Sequence, residues 1–245
     1  MAQATPFPSG DAHERLLREG RIKARGLMPD CSNYTYLAQV RSEGAETLGV
    51  YKPAQGETPL GDFPDGTLGK REVAAYLVSA ALEWQVVPLT VYRTQGPLGP
   101  GSLQQFIVAD AGEHYFTLMP ERAAEFRTMA AFDVIVNNAD RKSGHCLLDG
   151  DGHIWGVDNG LTFHVLPKLR TVIWEFGGEE VPAKLRRDAQ RLAQELIAGE
   201  GWVKTLRQLI SGPEVRALAQ RAARLADEGR YPEPSSRWAY PWPLI

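Results

Sequence analysis

The segment that most constrains the fold of this 245-residue chain is an apolar run that ends in a polar cluster and continues into a hairpin. Residues 122–138 have the spacing of a long apolar helix, and Asp140, Arg141 and Lys142 follow it directly. Two short strands joined by a Gly/Asp turn are predicted next, and the second strand runs into Asp158. Because a core helix that ends in polar residues usually presents them, we predict that the two carboxylates face one cavity.

The remaining sequence predicts a sheet-rich first part and a helix-rich second part, which is an α+β, two-lobed design. Ligands prefer the crevice between two such lobes. We predict one domain over 1–245, with a first lobe at 11–109, a second lobe at 110–230 and an extended tail at 231–245. The predicted strands are 21–27, 34–41, 47–52, 86–92 and 104–109, and the other predicted helices are 11–19, 69–83, 183–198, 202–210 and 213–228.

Composition narrows the classes of partner. The formal net charge is -3, so no basic field is present to hold a polyanion, and we expect no nucleic-acid partner. The two cysteines carry no disulfide-framework signal, and the amino terminus has no basic segment followed by an apolar run. No apolar stretch has the length of a membrane span. We therefore expect a cytoplasmic protein without stable membrane insertion.

Lys52 and Glu72 are the first candidate functional pair. Lys52 ends a predicted strand, from which its ammonium could reach phosphate oxygens, and Glu72 lies near the start of the next predicted helix. An ion pair between them would fix the lysine head group. The alternatives are a solvated lysine at a strand end and a glutamate that only stabilises the helix dipole.

Two further segments of the first lobe are candidates for nucleotide contact. Ser32 and Asn33 lie in a turn between two strands, where side chains and backbone N–H groups could meet phosphates, although a plain hairpin turn also explains them. Gln105, Phe106 and Ile107 follow a Gly/Pro loop, and an edge-strand backbone there could pair with an adenine edge. A simple buried strand is the alternative.

The two aspartates have distinct expected roles. Asp140 would accept a hydrogen bond from an attacking hydroxyl and orient it, and Asp158 would bind Mg²⁺. Arg141 and Lys142 would neutralise phosphate charge or pair with neighbouring acids. The alternatives are an Asx-type loop at Asp140 and a tight Asn-Gly turn after Asp158.

Five short motifs in this order carry a family resemblance. They are Tyr51–Pro53, Arg71–Glu72, Gly101–Ile107, Asn138–Arg141 and Val157–Phe163. Over roughly residues 20–210 the chain resembles the phosphatidylinositol 3-/4-kinase superfamily. The resemblance is to the type II phosphatidylinositol 4-kinases and, nearest of all, to a bacterial branch of kinase-like proteins related to them. It implies a two-lobed protein-kinase-like fold that uses ATP and Mg²⁺.

By this resemblance, Lys52 binds phosphate, Glu72 pairs with it, Asp140 is the catalytic acid and Asp158 is a metal ligand. One position departs from the family, since His145 stands where a second metal-binding asparagine is usual. Because Mg²⁺ favours oxygen ligands, the site would hold one metal, prefer Mn²⁺ or lack transferase activity, with Asn138 or Asn159 able to compensate.

These residues lead to one main functional hypothesis and two alternatives. The first is an ATP- and metal-dependent kinase-like enzyme that acts on a protein or small-molecule hydroxyl, with a lipid acceptor less favoured because no basic amphipathic helix is present. The second is a nucleotide-binding pseudokinase that acts as a regulatory module. The third is a kinase fold that transfers AMP to a protein. Fold analogy does not choose among them.

Overall fold

The computed structural model describes residues 11–29 and 33–245, which form two compact units. The first unit comprises the described residues through Val73 together with Leu89–Phe106, and the second comprises Ala74–Pro88 together with Ile107–Ile245. The lobes predicted from the sequence are each contiguous, whereas these units are not. Each unit has its own hydrophobic core.

The first unit is an antiparallel five-stranded sheet with a helix packed on it. Helix α1 (Asp11–Glu19) contributes the buried Leu16 and Leu17 to the core of this unit. The strands are β1 (Arg21–Leu27), β2 (Tyr36–Ser42), β3 (Ala45–Pro53), β4 (Thr90–Arg93) and β5 (Gly101–Gln105), in the spatial order β1-β2-β3-β5-β4. Strand β3 alternates between the two faces of the sheet, so the buried Tyr51 and its neighbour Lys52 point in opposite directions.

Helix α2 (Leu68–Leu82) contains the boundary between the units, because its first six residues belong to the first unit and the remainder to the second. The second unit also contains α3 (Tyr115–Leu118), α4 (Ala123–Val136), a hairpin of β6 (Cys146–Leu148) and β7 (Ile154–Gly156), α5 (Ala183–Ala198), α6 (Trp202–Leu206) and α7 (Gly212–Glu228). Helix α7 packs against α4 and α5. Large apolar side chains such as Phe126, Phe132 and Leu192 fill this core.

The α+β fold class is confirmed, and several predicted boundaries are wrong. The strand predicted at 86–92 begins only at Thr90, because the N–H groups of Val86 and Val87 donate to Ser79 Oγ at 2.9 and 3.1 Å instead of to a strand. The strand predicted at 104–109 is β5, which starts earlier and ends at Gln105. A Cβ at Gly101 would lie 2.3 Å from the Lys52 carbonyl oxygen, so the first residue of β5 must be glycine.

The helical prediction differs in two places. Helix α6 is shorter than the predicted 202–210, and the single-turn helix α3 was not predicted. Short helices are marginal by propensity and depend on the packing around them, here on the buried Tyr115 and Leu118. Within the part of the chain that the structure describes, no helix combines the length and apolarity that a bilayer crossing requires.

Candidate active site

Lys52 and Glu72 form an ion pair in the first unit. Lys52 Nζ lies 2.5 Å from Glu72 Oε1, and the glutamate side chain is only 4% exposed. Glu72 lies on helix α2, and Glu57 caps the amino end of this helix. The Glu57 carboxylate accepts hydrogen bonds from the N–H groups of Leu68 and Gly69 at 3.1 and 3.0 Å. Sequence analysis missed Glu57; its signal was an acid ahead of a helix that lacks an acidic first turn.

Three other nucleotide-binding candidates of the first unit, Asn33, Gln105 and Phe106, have hydrogen-bond partners within the protein. Asn33 Oδ1 accepts a hydrogen bond from the Thr58 N–H at 2.8 Å, and Ser32 lies outside the described residues. The N–H groups of Gln105 and Phe106 donate to backbone carbonyls at 2.8 and 3.2 Å. These two donors are therefore not available to an adenine edge, which corrects that part of the prediction.

Ile107 directly follows this segment and belongs to the second unit. Its side chain is buried, so the expected contact with a base would come from its backbone. That contact stays a prediction.

Asp140 stands four residues after the end of α4 in the second unit. The residue that caps the carboxyl end of the helix, Asn137, has a left-handed φ of 56° and turns the chain out of the helical path. The Asp140 side chain is 26% exposed, and its Oδ2 lies 3.2 Å from Lys142 Nζ. Burial raises the pKa of Asp140, the charge of Lys142 lowers it and the charge of Asp158 raises it further.

Asp158 and His145 face one another beside this carboxylate. Asp158 Oδ2 lies 3.4 Å from His145 Nε2, and the aspartate side chain is 51% exposed. The backbone of Asp158 is left-handed, with a φ of 57°, which is uncommon for a residue other than glycine and is frequent at functional sites. The second unit therefore gathers Asp140, Lys142, His145 and Asp158 into one partly exposed charged cluster.

Arg141 supports this cluster from the interior. Its side chain is fully buried, and its Nε and Nη2 each lie 3.0 Å from a carboxylate oxygen of Asp133. Nη1 donates to the Val157 carbonyl and Nη2 to Asn159 Oδ1, both at 2.7 Å. The expected role of Arg141 at phosphate is therefore wrong, and its alternative, a pair with a neighbouring acid, is correct. Arg141 fixes the residues on both sides of Asp158.

Asn138 is not available as a metal ligand, which corrects its predicted role. It is fully buried, its Nδ2 donates to Asp133 Oδ1 at 3.0 Å, and its Oδ1 accepts from the Asp140 N–H at 3.0 Å. Asn159 is likewise buried, and its Oδ1 accepts from Arg141. Both asparagines position the chain around the carboxylates and cannot compensate for His145.

Asp133 is the central residue that sequence analysis missed. It is a carboxylate inside the apolar helix α4 and is completely buried, with bonds to Arg141 and Asn138. The signal was a charged residue in the middle of the apolar run FDVIV. A buried carboxylate requires a partner, and that requirement pointed to a nearby cation.

Asp158 offers an exposed carboxylate next to His145, a second candidate ligand. Across residues 11–29 and 33–245, no group of three or more His, Cys, Asp or Glu side chains is arranged to hold a metal ion. Mg²⁺ needs no such group, since proteins usually bind it through one or two carboxylates, with water and substrate phosphates completing its shell. The donor set at Asp158 fits a metal ion that is held jointly with a nucleotide.

Comparison with known proteins gives the family and the fold. No protein-family model matches the chain. Protein Rv2133c of Mycobacterium tuberculosis is 37% identical over 271 residues, and the match covers 96% of each chain.

Three solved structures are similar at low sequence identity. The proinflammatory kinase CtkA of Helicobacter pylori has a TM-score of 0.53 at 10% identity, with 88% of this chain and 94% of that chain covered. Fam20 from hydra has a TM-score of 0.59 at 11% identity, with 90% and 89% covered. The golgi casein kinase has a TM-score of 0.50 at 12% identity, with 92% and 82% covered. The chain has a protein-kinase-like fold and belongs to the family of Protein Rv2133c.

Proposed function

We propose that this protein is a phosphotransferase that uses ATP and a divalent metal ion to phosphorylate a hydroxyl group of a protein or small molecule. The main supporting observation is the cluster of Asp140, Lys142, His145 and Asp158. The buried Arg141 supports it through hydrogen bonds to both neighbours of Asp158. Asp140 and Asp158 lie on two segments that Arg141 connects by hydrogen bonds. A kinase-like fold with two carboxylates placed in this way has the groups that phosphoryl transfer requires.

Each charged group has a role in this proposal. In the first unit, Lys52, fixed by Glu72, would bind phosphate oxygens of ATP. In the second unit, the Asp158 carboxylate would hold a divalent metal ion. Asp140 would accept a hydrogen bond from the acceptor hydroxyl, and its raised pKa suits proton acceptance better than an ordinary aspartate would. Lys142, beside Asp140, would neutralise charge that develops on the transferred group.

His145 distinguishes this site from one with two oxygen ligands for Mg²⁺. An imidazole nitrogen is a poor ligand for Mg²⁺ and a better one for Mn²⁺. We therefore propose a single metal ion at Asp158 and a preference for Mn²⁺. The same observation supports the second candidate function, a pseudokinase that binds nucleotide without transfer.

The motif order supports a phosphatidylinositol 3-/4-kinase-like class for this enzyme. The acceptor is proposed to be a protein or small molecule, and a lipid acceptor is less favoured. A cytoplasmic location, suggested by the cysteine usage, is part of the proposal.

One assay tests the proposal against its alternatives. Purified protein is incubated with ATP labelled at the γ or α position, with Mg²⁺ or Mn²⁺, alone and with cell lysate. Transfer of the γ label supports a kinase, and transfer of the α label supports AMP transfer. A rise in melting temperature with ATP and metal, but no transfer of either label, supports the pseudokinase. The absence of any nucleotide-dependent shift at millimolar ATP contradicts all three.

Two single substitutions test the proposed roles of Asp140 and Asp158. Asp140→Ala should keep the nucleotide-dependent shift and lose transfer, whereas Asp158→Ala should lose the metal-dependent part of the shift. Asp151→Ala is the matched control, because Asp151 is an exposed aspartate in the turn of the same hairpin. An unchanged metal response in Asp158→Ala would remove Asp158 from the site.

A further inference from the structure

A cavity of about 520 Å³ lies within the second unit, lined by the segment 165–170, helix α7 and the chain after residue 231. Four cationic side chains line it, and the one carboxylate among the lining residues is Glu233. The cations are Lys168, Arg170, Arg221 and Arg224. This excess of positive charge favours an anionic occupant. None of Lys52, Asp140 and Asp158 lines the cavity, so it is distinct from the proposed phosphotransfer site.

Arg221 is the most informative of these cations. Its Nε donates to the Ile135 carbonyl at 2.8 Å and its Nη1 to the His164 carbonyl at 3.3 Å, whereas Nη2 is buried and has no hydrogen-bond partner. Arg221 forms no ion pair within the described part of the chain. A largely buried guanidinium with an unsatisfied N–H group is costly unless a ligand completes its bonding.

The electrostatics agree with this geometry. Burial lowers the pKa of Arg221 to about 10, and the nearby charge of Arg224 acts in the same direction. The side chain therefore remains protonated at neutral pH. An anion in the cavity would give Arg221 an ion-pair partner at the open side of its guanidinium.

The walls of the cavity add an apolar component. Trp174 and Trp238 both line it, with the Trp174 Nε1 hydrogen-bonded to the Ala239 carbonyl at 3.1 Å. Trp238 is 69% exposed, and the guanidinium of Arg237 lies over one face of its ring, 4.7 Å from the ring centroid. Aromatic faces of this kind bind planar or apolar groups.

We propose that this cavity binds an organic phosphate monoester, with the phosphate paired with Arg221 and the planar or apolar part against Trp174 and Trp238. A phosphate monoester suits the site because its two charges and several acceptor oxygens can serve more than one cation. The proposal is independent of the phosphotransfer activity.

Binding of phenyl phosphate to the full chain, measured by calorimetry without ATP or metal, tests the proposal. Phenyl phosphate should bind saturably, inorganic phosphate should bind more weakly, and phenol should not bind. Arg221→Gln should weaken binding of phenyl phosphate about tenfold or more, because a hydrogen bond to a charged group contributes that much. Arg216→Gln is the control, since Arg216 is an exposed arginine on the same helix.

A second variant keeps the proposal testable if Arg221→Gln fails to fold. The double variant Lys168→Gln/Arg224→Gln leaves Arg221 in place and should weaken phenyl phosphate binding several-fold. Asp158→Ala should leave phenyl phosphate binding unchanged, which separates this site from the proposed nucleotide site. The proposal is overturned if phenyl phosphate does not bind at millimolar concentration, if phenol binds equally well, or if the double variant binds as the wild type does.

Discussion

Arg141 and Asp133 form an ion pair in which neither side chain is exposed, with Nη2 of the arginine 3.0 Å from Oδ1 of the aspartate. The pair connects helix α4 to the loop that carries Asp140. Through the Val157 carbonyl and Asn159 Oδ1 it also connects the loop to both neighbours of Asp158. Asp140 and Asp158 therefore depend on one buried pair for their positions.

Breaking this pair should strongly destabilise the fold. Arg141→Met leaves the Asp133 carboxylate buried without its cation, and we expect a loss of about 3–5 kcal/mol in the free energy of unfolding, measured by chemical denaturation. The double variant Arg141→Met/Asp133→Leu should recover much of that loss, because no buried charge remains. A loss of about 1 kcal/mol or less, typical of an exposed pair, would contradict this interpretation.

Glu72→Gln tests whether the ion pair in the first unit prepares Lys52 for phosphate. The substitution keeps the shape of the side chain and removes its charge, so the lysine ammonium should be held less firmly and the ATP-induced rise in melting temperature should shrink. Glu46→Gln is the control, since Glu46 pairs with Arg41 in an exposed ion pair of the same sheet. An equal effect of both variants would show that the Lys52 pair has no special role.

His145→Asn should change the metal preference. The amide oxygen of asparagine is a better ligand for Mg²⁺ than imidazole is, and His145 faces Asp158. We expect the ratio of the Mg²⁺ to the Mn²⁺ response to rise, in transfer activity or in nucleotide-dependent melting temperature. His153→Asn, in the neighbouring hairpin, should leave the ratio as it is. If His145→Asn also leaves the ratio unchanged, His145 does not contact the metal.

Asp140 should make the stability of the protein depend on pH. Burial raises its pKa, with the Asp158 charge adding to the rise and Lys142 opposing it. A carboxyl group whose pKa is higher in the folded state stabilises the fold at acid pH, and this contribution is lost as pH rises through the folded-state pKa. Because an asparagine side chain does not ionise, the stability of Asp140→Asn does not fall as pH rises through this pKa.

The stability of Asp140→Asn relative to the wild type should therefore increase from acid to neutral pH. The measurement is the free energy of unfolding of both proteins across that range. Asp151→Asn, at an exposed aspartate, should show no such trend. A difference between Asp140→Asn and wild type that stays flat with pH would mean that the Asp140 pKa is not raised.

Cys146 should be unreactive in the folded protein. It is fully buried, and burial raises the pKa of its thiol to about 12, so almost no thiolate is present at neutral pH. In a Cys31→Ser background, iodoacetamide should label Cys146 only after the protein is unfolded, as followed by mass spectrometry. Rapid labelling under native conditions would show that the hairpin opens readily.

Local sequence signals were sufficient for much of the fold. The predicted helix 183–198 matches α5, which is capped at its carboxyl end by the left-handed Gly199. Helix α7 begins at a capping box in which Glu214 accepts from the Ser211 N–H at 2.7 Å. These signals depend only on residues a few positions apart, so they can be recognised from the sequence.

Local signals also singled out a polar loop after an apolar helix, and a strand that runs into Asp158. Charge and spacing made Asp140, Asp158, Lys52 and Glu72 candidates. They did not indicate which neighbouring charges are solvent-exposed, because exposure depends on what the rest of the chain packs above each side chain.

The sequence by itself therefore determined the order of the strands and of the helices other than α3, the α+β class and the residue types available for chemistry. Only the tertiary structure decided that Arg141 and Asn138 are interior supports, that Asp133 is their shared partner, and that β5 begins at Gly101. The physical reason is that burial, hydrogen-bond partners and strand register arise from contacts between segments distant in sequence.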